Sequence, residues 1–172
     1  ASLSDLKGLM PESIDLDKNI DLVGVAFNAA VVNTFNKNHD GISTETALAV
    51  KDYFVHKPTN IEHKKQRIVG HIVSAGFSSY GDNELFNDED LANYRDPFNI
   101  SLGAVVYRMV DKKFAELLSK SVDPESSMYN QVSASWEIGF NDYQIAVGSN
   151  NLAEAEIITD QKQIQELSQY LK

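Results

Sequence analysis

The chain predicts an α+β domain, mostly β, with helices packed around a β core. Three observations predict it. Leu22 to Val32 is a near-continuous run of Val, Ala and other apolar residues. Val132 to Phe140 alternates apolar and polar side chains. Between such runs lie short stretches of helical periodicity, each opened by a residue that can cap a helix. At 172 residues the chain reads as one domain with a real core, spanning 1–172.

The elements follow in order. The first ~20 residues are polar and expected to be loosely attached. Leu22–Val32, bounded by Asp21 and Asn33, reads as a buried strand. Asn33 to Gly41 is loop, because Asn36, Asn38, Asp40 and Gly41 are turn formers. Its Asp and Asn content resembles a calcium loop, but the terminal Glu of that motif is missing. Ser43 can cap a helix with Glu45 in its first turn; Ala47, Val50 and Phe54 share a face, and Pro58 forbids continuation. Ile61 to Ser74 reads as a hairpin around a Lys64–Arg67 turn. Ser78 to Pro97 is acidic and reads as a long surface loop.

Ile100 to Val110 is Val-rich and reads as a strand. Asp111 caps a helix striped by Phe114, Leu117 and Leu118, and Asp123-Pro124 ends it in a linker to Tyr129. In the next strand Val132, Ala134, Trp136 and Ile138 face one way, and Ser133, Ser135 and Glu137 the other. Gln144–Val147 is a short return strand, and Leu152–Thr159 a further one. Asp160 caps a last helix lined by Ile164, Leu167 and Leu171.

Composition removes several function classes. Net charge is -10 with scattered lysines, which argues against nucleic-acid binding. Lys64-Lys65-Gln66-Arg67 is the one short basic cluster and reads as a solvated hairpin tip. No apolar run is long enough to span a bilayer, and Asp5, Lys7 and Glu12 interrupt any signal-peptide pattern. Without cysteine there is no disulfide, thiolate metal site or Cys nucleophile, which fits a reducing cytoplasm. His39, His56, His63 and His71 form no metal-binding spacing, so neither metal nor cofactor is expected.

What chemistry remains belongs to serine and histidine. A serine becomes a nucleophile when a histidine takes its proton and a third group orients that histidine. His63 lies at a strand-to-turn junction, and Ser133 and Ser135 project from the polar face of a strand. Two plainer readings stay open: a surface or capping histidine, and a wet sheet face.

The stretch Lys57-Pro58-Thr59-Asn60-Ile61-Glu62-His63, then Ile68-Val69-Gly70-His71-Ile72, resembles the catalytic-histidine segment of herpesvirus assemblins, the capsid maturation proteases. Val132-Ser133-Ala134-Ser135 resembles the family's nucleophile strand, and Ile100–Val110 with the Phe114–Leu118 helix resembles the strand and helix between the two. Tailed-phage prohead proteases share the fold and the His-then-Ser order, and the Asn33–Gly41 loop suits that bacteriophage branch better. The resemblance covers about two-thirds of the chain; its histidine segment is specific and its serine segment short.

The resemblance implies a closed or partly closed β-barrel core surrounded by helices. It implies a serine endopeptidase that cleaves scaffold and capsid proteins inside an assembling prohead in the host cytoplasm, with self-association. Residue by residue, His63 is the general base and Ser133 the nucleophile, with Ser135 the alternative. Glu154 is the orienting acid, with Glu156 the alternative on the same strand face. His71 matches a family histidine outside the triad and is expected to be structural. The Arg-Arg pair by which assemblins support the oxyanion site is missing, leaving that task to backbone N–H groups. The other reading is a non-catalytic scaffold or capsid-core protein of the same fold. A small-molecule esterase lacks its Gly-x-Ser-x-Gly turn.

Overall fold

Val, Phe and Ala on every second position build β1, Leu22–Val32, and the same chemistry builds β5, Phe98–Tyr107. The structure, a computed structural model, describes residues 7–11, 14–15, 18–36, 40–60, 68–122, 125, 127, 145–149 and 151–169. The remaining strands are β2 (Pro58–Asn60), β3 (Ile68–Ser79), β4 (Leu85–Phe86), β6 (Ile145–Val147) and β7 (Glu156–Ile158). Three α-helices accompany them: α1 (Thr44–Val50), α2 (Lys112–Val122) and α3 (Gln161–Ser168). The fold is therefore mixed and mostly strand, as the sequence predicts.

The main sheet is antiparallel and runs β1-β5-β3-β2, with β4 paired to the far end of β3. It curls into a half-barrel; among the described residues it does not close. Two bulges bend it. The β1–β5 register shifts between Asn28 and Ala30, and the β3–β5 register between Ile72 and Ser74. An extra residue on each strand flanking β5 bends and twists the ladder on both sides.

Paired residues share a face, so the registers sort the sheet into two. One face carries Val23, Val25 and Phe27 of β1, Leu102, Ala104 and Val106 of β5, and Ile72, Ala75 and Phe77 of β3. It is the core, and it joins Ala47 of α1 and Ala115 of α2. Phe98 meets Phe77 and Tyr94 edge-on, at 5.5 and 5.6 Å between ring centres. The other face carries Gly24, Ala26, Asn28, Gly103, Ser101, Ser74, Gly76 and Ser78. Here Ser101 and Ser78 are fully buried. Ser101 donates to Asn28 Oδ1 at 2.6 Å, Asn28 donates to Asn83 at 2.8 Å, and Asn99 donates to Ser78 at 3.2 Å. The central strand is thus buried on both faces, which is why its alternation is imperfect in sequence.

The caps act as expected. Ser43 accepts from the Thr46 N–H, Asp111 from Phe114 N–H, and Asp160 from Lys162 and Gln163 N–H. After Val50 the first helix tightens into a 3-10 turn, Lys51–Phe54. Lys51 is buried there, its Nζ 2.6 Å from Asp88 Oδ2 and 5.2 Å from the centre of the Phe77 ring. That pair corrects the reading of Ser78–Pro97 as a surface loop. The segment finishes β3, forms β4 and a 3-10 turn at Asp88–Leu91, and buries Leu91 completely. The apolar Leu91, Phe86 and Tyr94 were enough to anchor an otherwise acidic stretch.

Leu152–Thr159 also differs from expectation. Asn151 Oδ1 accepts from Ala153 N–H, and Asn151 O accepts from the N–H groups of Glu154 and Ala155. This asparagine-driven turn delays the strand to Glu156. Of the first twenty residues, those described include Leu9, which is buried, and Ile20, which is exposed. No described helix is long and apolar enough to cross a membrane.

Glu45 gives the fold a pH dependence. Its pKa lies below the ordinary 4.5, chiefly through its backbone N–H and then through Arg95, whose guanidinium stands 2.8 Å away. A lowered folded-state pKa stabilises the fold above the ordinary glutamate value, and that contribution is lost as pH falls through the lowered one. The group is exposed, so the effect is small. Glu45→Gln is expected to lower the urea midpoint slightly at neutral pH. The difference from the parent should vanish in acid; a difference that grows there would refute the assignment.

Candidate functional site

The described flanks of the histidine segment, β2 and the start of β3, form one edge of the main sheet. Pro58 pairs with His71, Thr59 with Gly70 and Asn60 with Ile68. Main-chain bonds from His56 N–H to Ile72 O (2.8 Å) and from Ile72 N–H to Lys57 O (2.9 Å) extend this ladder. The 61–67 connection therefore leaves from two paired strands, as the predicted hairpin requires. Its base is β2 and β3, although Ile61 itself lies outside the described residues.

Gly70 explains the tightness of this edge. A Cβ there would overlap the Val105 carbonyl oxygen and stand 2.9 Å from Val106 Cα and 3.0 Å from Thr59 Oγ1. β2 and β5 close on Gly70 from both sides, and only a residue without a side chain fits. Thr59 Oγ1 is buried, and none of its hydrogen-bonding capacity is met among the described residues. Next along β3, His71 Nδ1 stands 2.5 Å from the Tyr107 hydroxyl, with the two rings 5.7 Å apart. The expected structural histidine thus has a structural partner. Sequence reading missed Tyr107. Its signal lies in the register, since Val105 pairs with His71 and Tyr107 lies two residues on, on the same face.

His63, Ser133 and Ser135 lie outside the described residues, as does the expected Val132–Phe140 strand. Glu154 and Glu156 are described and exposed. Glu154 lies in the Asn151 turn, where Ser149 Oγ donates to its Oε2 at 3.4 Å. Glu156 lies on β7 opposite Val147. The two do not share a strand as expected. Leu152 N–H donates to Asn33 O, and Thr34 bridges Asn151. This ties the turn to the end of β1 beside Phe98. The 61–67 connection leaves from the opposite, Tyr107 end. Along a ten-residue strand such as β5, those ends are ~30 Å apart at ~3.3 Å per residue. The described geometry does not bring Glu154 to the histidine segment.

Among the described residues no group of His, Asp and Glu could hold a metal ion. The buried serines Ser78 and Ser101, 2.7 Å apart, have asparagines and, among the described residues, no histidine as hydrogen-bond partners. Comparison of the chain with family models, with curated proteins and with solved structures finds no match.

Proposed function

We propose that the protein is a serine endopeptidase acting by acyl transfer on proteins of an assembling viral capsid. Ser133 attacks the scissile carbonyl, and His63 takes the serine proton and returns it to the leaving amine. A second serine, Ser135, is the alternative nucleophile. Glu154 is not part of the proposed mechanism, because the turn that carries it is tied to the other end of the sheet; Glu156 on β7 is the remaining candidate to orient the imidazole.

One observation carries the reading. In the segment that resembles the assemblin histidine motif, the residues around His63 have definite physical tasks. Gly70 admits the close approach of β2 and β5, and His71 is bonded to Tyr107. Such a ladder is the rigid support that a general base needs, since base and nucleophile must meet within hydrogen-bond reach. The proposed substrates and the capsid setting come from the resemblance.

A fluorophosphonate probe tests the proposal, because it phosphonylates only an activated serine, whose oxygen displaces fluoride from phosphorus. Labelling of the folded protein is expected, with the adduct mapped to Ser133 by peptide mass and lost in Ser133→Ala. Labelling lost only in Ser135→Ala would move the nucleophile by two residues. A folded chain that resists the probe at every serine would support the non-catalytic scaffold reading instead.

A further inference from the structure

On the sheet face opposite the core, β3 and β5 present Gly76 and Gly103, with Ser74 between them. This strip is occupied. The segment Gly8–Pro11 crosses it, and Leu9 is buried there. Leu9 Cδ2 lies 2.7 Å from where a Gly76 Cβ would stand, and Leu9 O lies 3.1 Å from where a Gly103 Cβ would stand. The Ser74 hydroxyl donates to the Leu9 carbonyl. One residue earlier, a Cβ on Gly8 would be 2.9 Å from Leu85 Cδ1 of β4. Together these contacts favour a leucine with its carbonyl turned to a hydroxyl donor, preceded by a small residue beside the Leu85 side chain.

The attachment is slight. Among the described residues, no strand ladder pairs this segment with β3 or β5. Among the described residues it is held by the Leu9 side chain and by the side-chain hydrogen bond from Ser74, with exposed Gly8 leading into it. Short contacts of this kind open locally without unfolding the sheet beneath.

We propose that the Ser74–Gly76–Gly103 strip is a docking site for an extended protein segment bearing Gly-Leu, and that Gly8–Pro11 is its resting, exchangeable occupant. The incoming segment would seat its leucine over Gly76 and accept the Ser74 hydrogen bond, releasing the internal strap. This is a binding inference and does not depend on hydrolysis.

The experiment measures fluorescence anisotropy of a labelled Lys7–Pro11 peptide on the full chain. The parent should bind weakly, because its own strap competes. Leu9→Ser should bind at least about tenfold more tightly, since vacating the site raises the competent fraction. The same peptide with serine in place of leucine should not bind. Adding Gly76→Ala to Leu9→Ser should weaken binding several-fold, because the new methyl crowds the leucine seat. Equal affinity in parent and Leu9→Ser, or binding untouched by Gly76→Ala, overturns the proposal. So does a Leu9→Ser chain that cannot fold, for the strap would then belong to the fold. In the parent, the Leu9 and Met10 amides should exchange hydrogen faster than that of Leu102; exchange only with global unfolding also refutes exchangeability.

Discussion

Gly70→Ala is expected to destabilise the fold by about 3 kcal/mol or more, near the upper end of overpacking costs. The added methyl would press on the Val105 carbonyl and on Val106 Cα, which are backbone atoms of the central strand. Neither can swing aside as a side-chain tip would. Relief requires β3 to move from β5 and release the ladder that carries β2. Gly76→Ala, six residues along the same strand, is the control. Its methyl would meet only Leu9 Cδ2, the end of a flexible side chain, and should cost less than about 1 kcal/mol. Urea unfolding of both variants decides the matter. Equal losses would mean that the close approach at Gly70 is not what limits the position.

His63→Ala is expected to reduce fluorophosphonate labelling by about 10³-fold or more, with the urea midpoint little changed. A serine hydroxyl without its base is a weak nucleophile, and removing one member of such a unit costs nearly as much as removing all. His71→Ala should behave in the opposite manner. It deletes the partner of the Tyr107 hydroxyl and lowers stability by about 1 kcal/mol, the worth of a typical hydrogen bond. Labelling should fall less than about tenfold. If His71→Ala silences the serine in a folded chain while His63→Ala does not, the base has been assigned to the wrong histidine.

Local chemistry made much of this fold readable. β1 spans Leu22–Val32, the residues read as a strand, because an apolar run between Asp21 and Asn33 has no competing period. Ser43, Asp111 and Asp160 announced their helices because capping depends on only three or four neighbouring residues. Tertiary effects were not readable. Ser78–Pro97 looks like loop by composition, yet the Lys51–Asp88 pair, buried Leu91 and the packed rings of Phe86 and Tyr94 hold it to the core. The curl of the sheet comes from bulges at Asn28/Ala30 and Ile72/Ser74, which no residue pattern marks. In the candidate site, the hairpin base was legible from Pro58 and Ile68–Ile72. The pairing of His71 with Tyr107 was not, since they are 36 positions apart and meet only through register. Glu154 was chosen for its neighbourhood in sequence. The turn imposed by Asn151 and the bond from Leu152 to Asn33 place it by constraints that sequence spacing does not carry.

Asn28 of β1 and the buried Asn99, Ser101 and Ser78 of β5 and β3 also serve as a proofreader of strand alignment. Slipping β1 by one residue against β5 would turn Asn28 into the apolar layer and move Phe27 toward Ser101. The misaligned sheet would take away the Asn28 oxygen that accepts from the buried Ser101 hydroxyl, a loss penalised by about 1–3 kcal/mol if the donor is left unmet. Greasy strands of valine and alanine discriminate poorly between neighbouring alignments on their own. A single polar knot in their midst favours the alignment in which the buried Ser101 hydroxyl is answered.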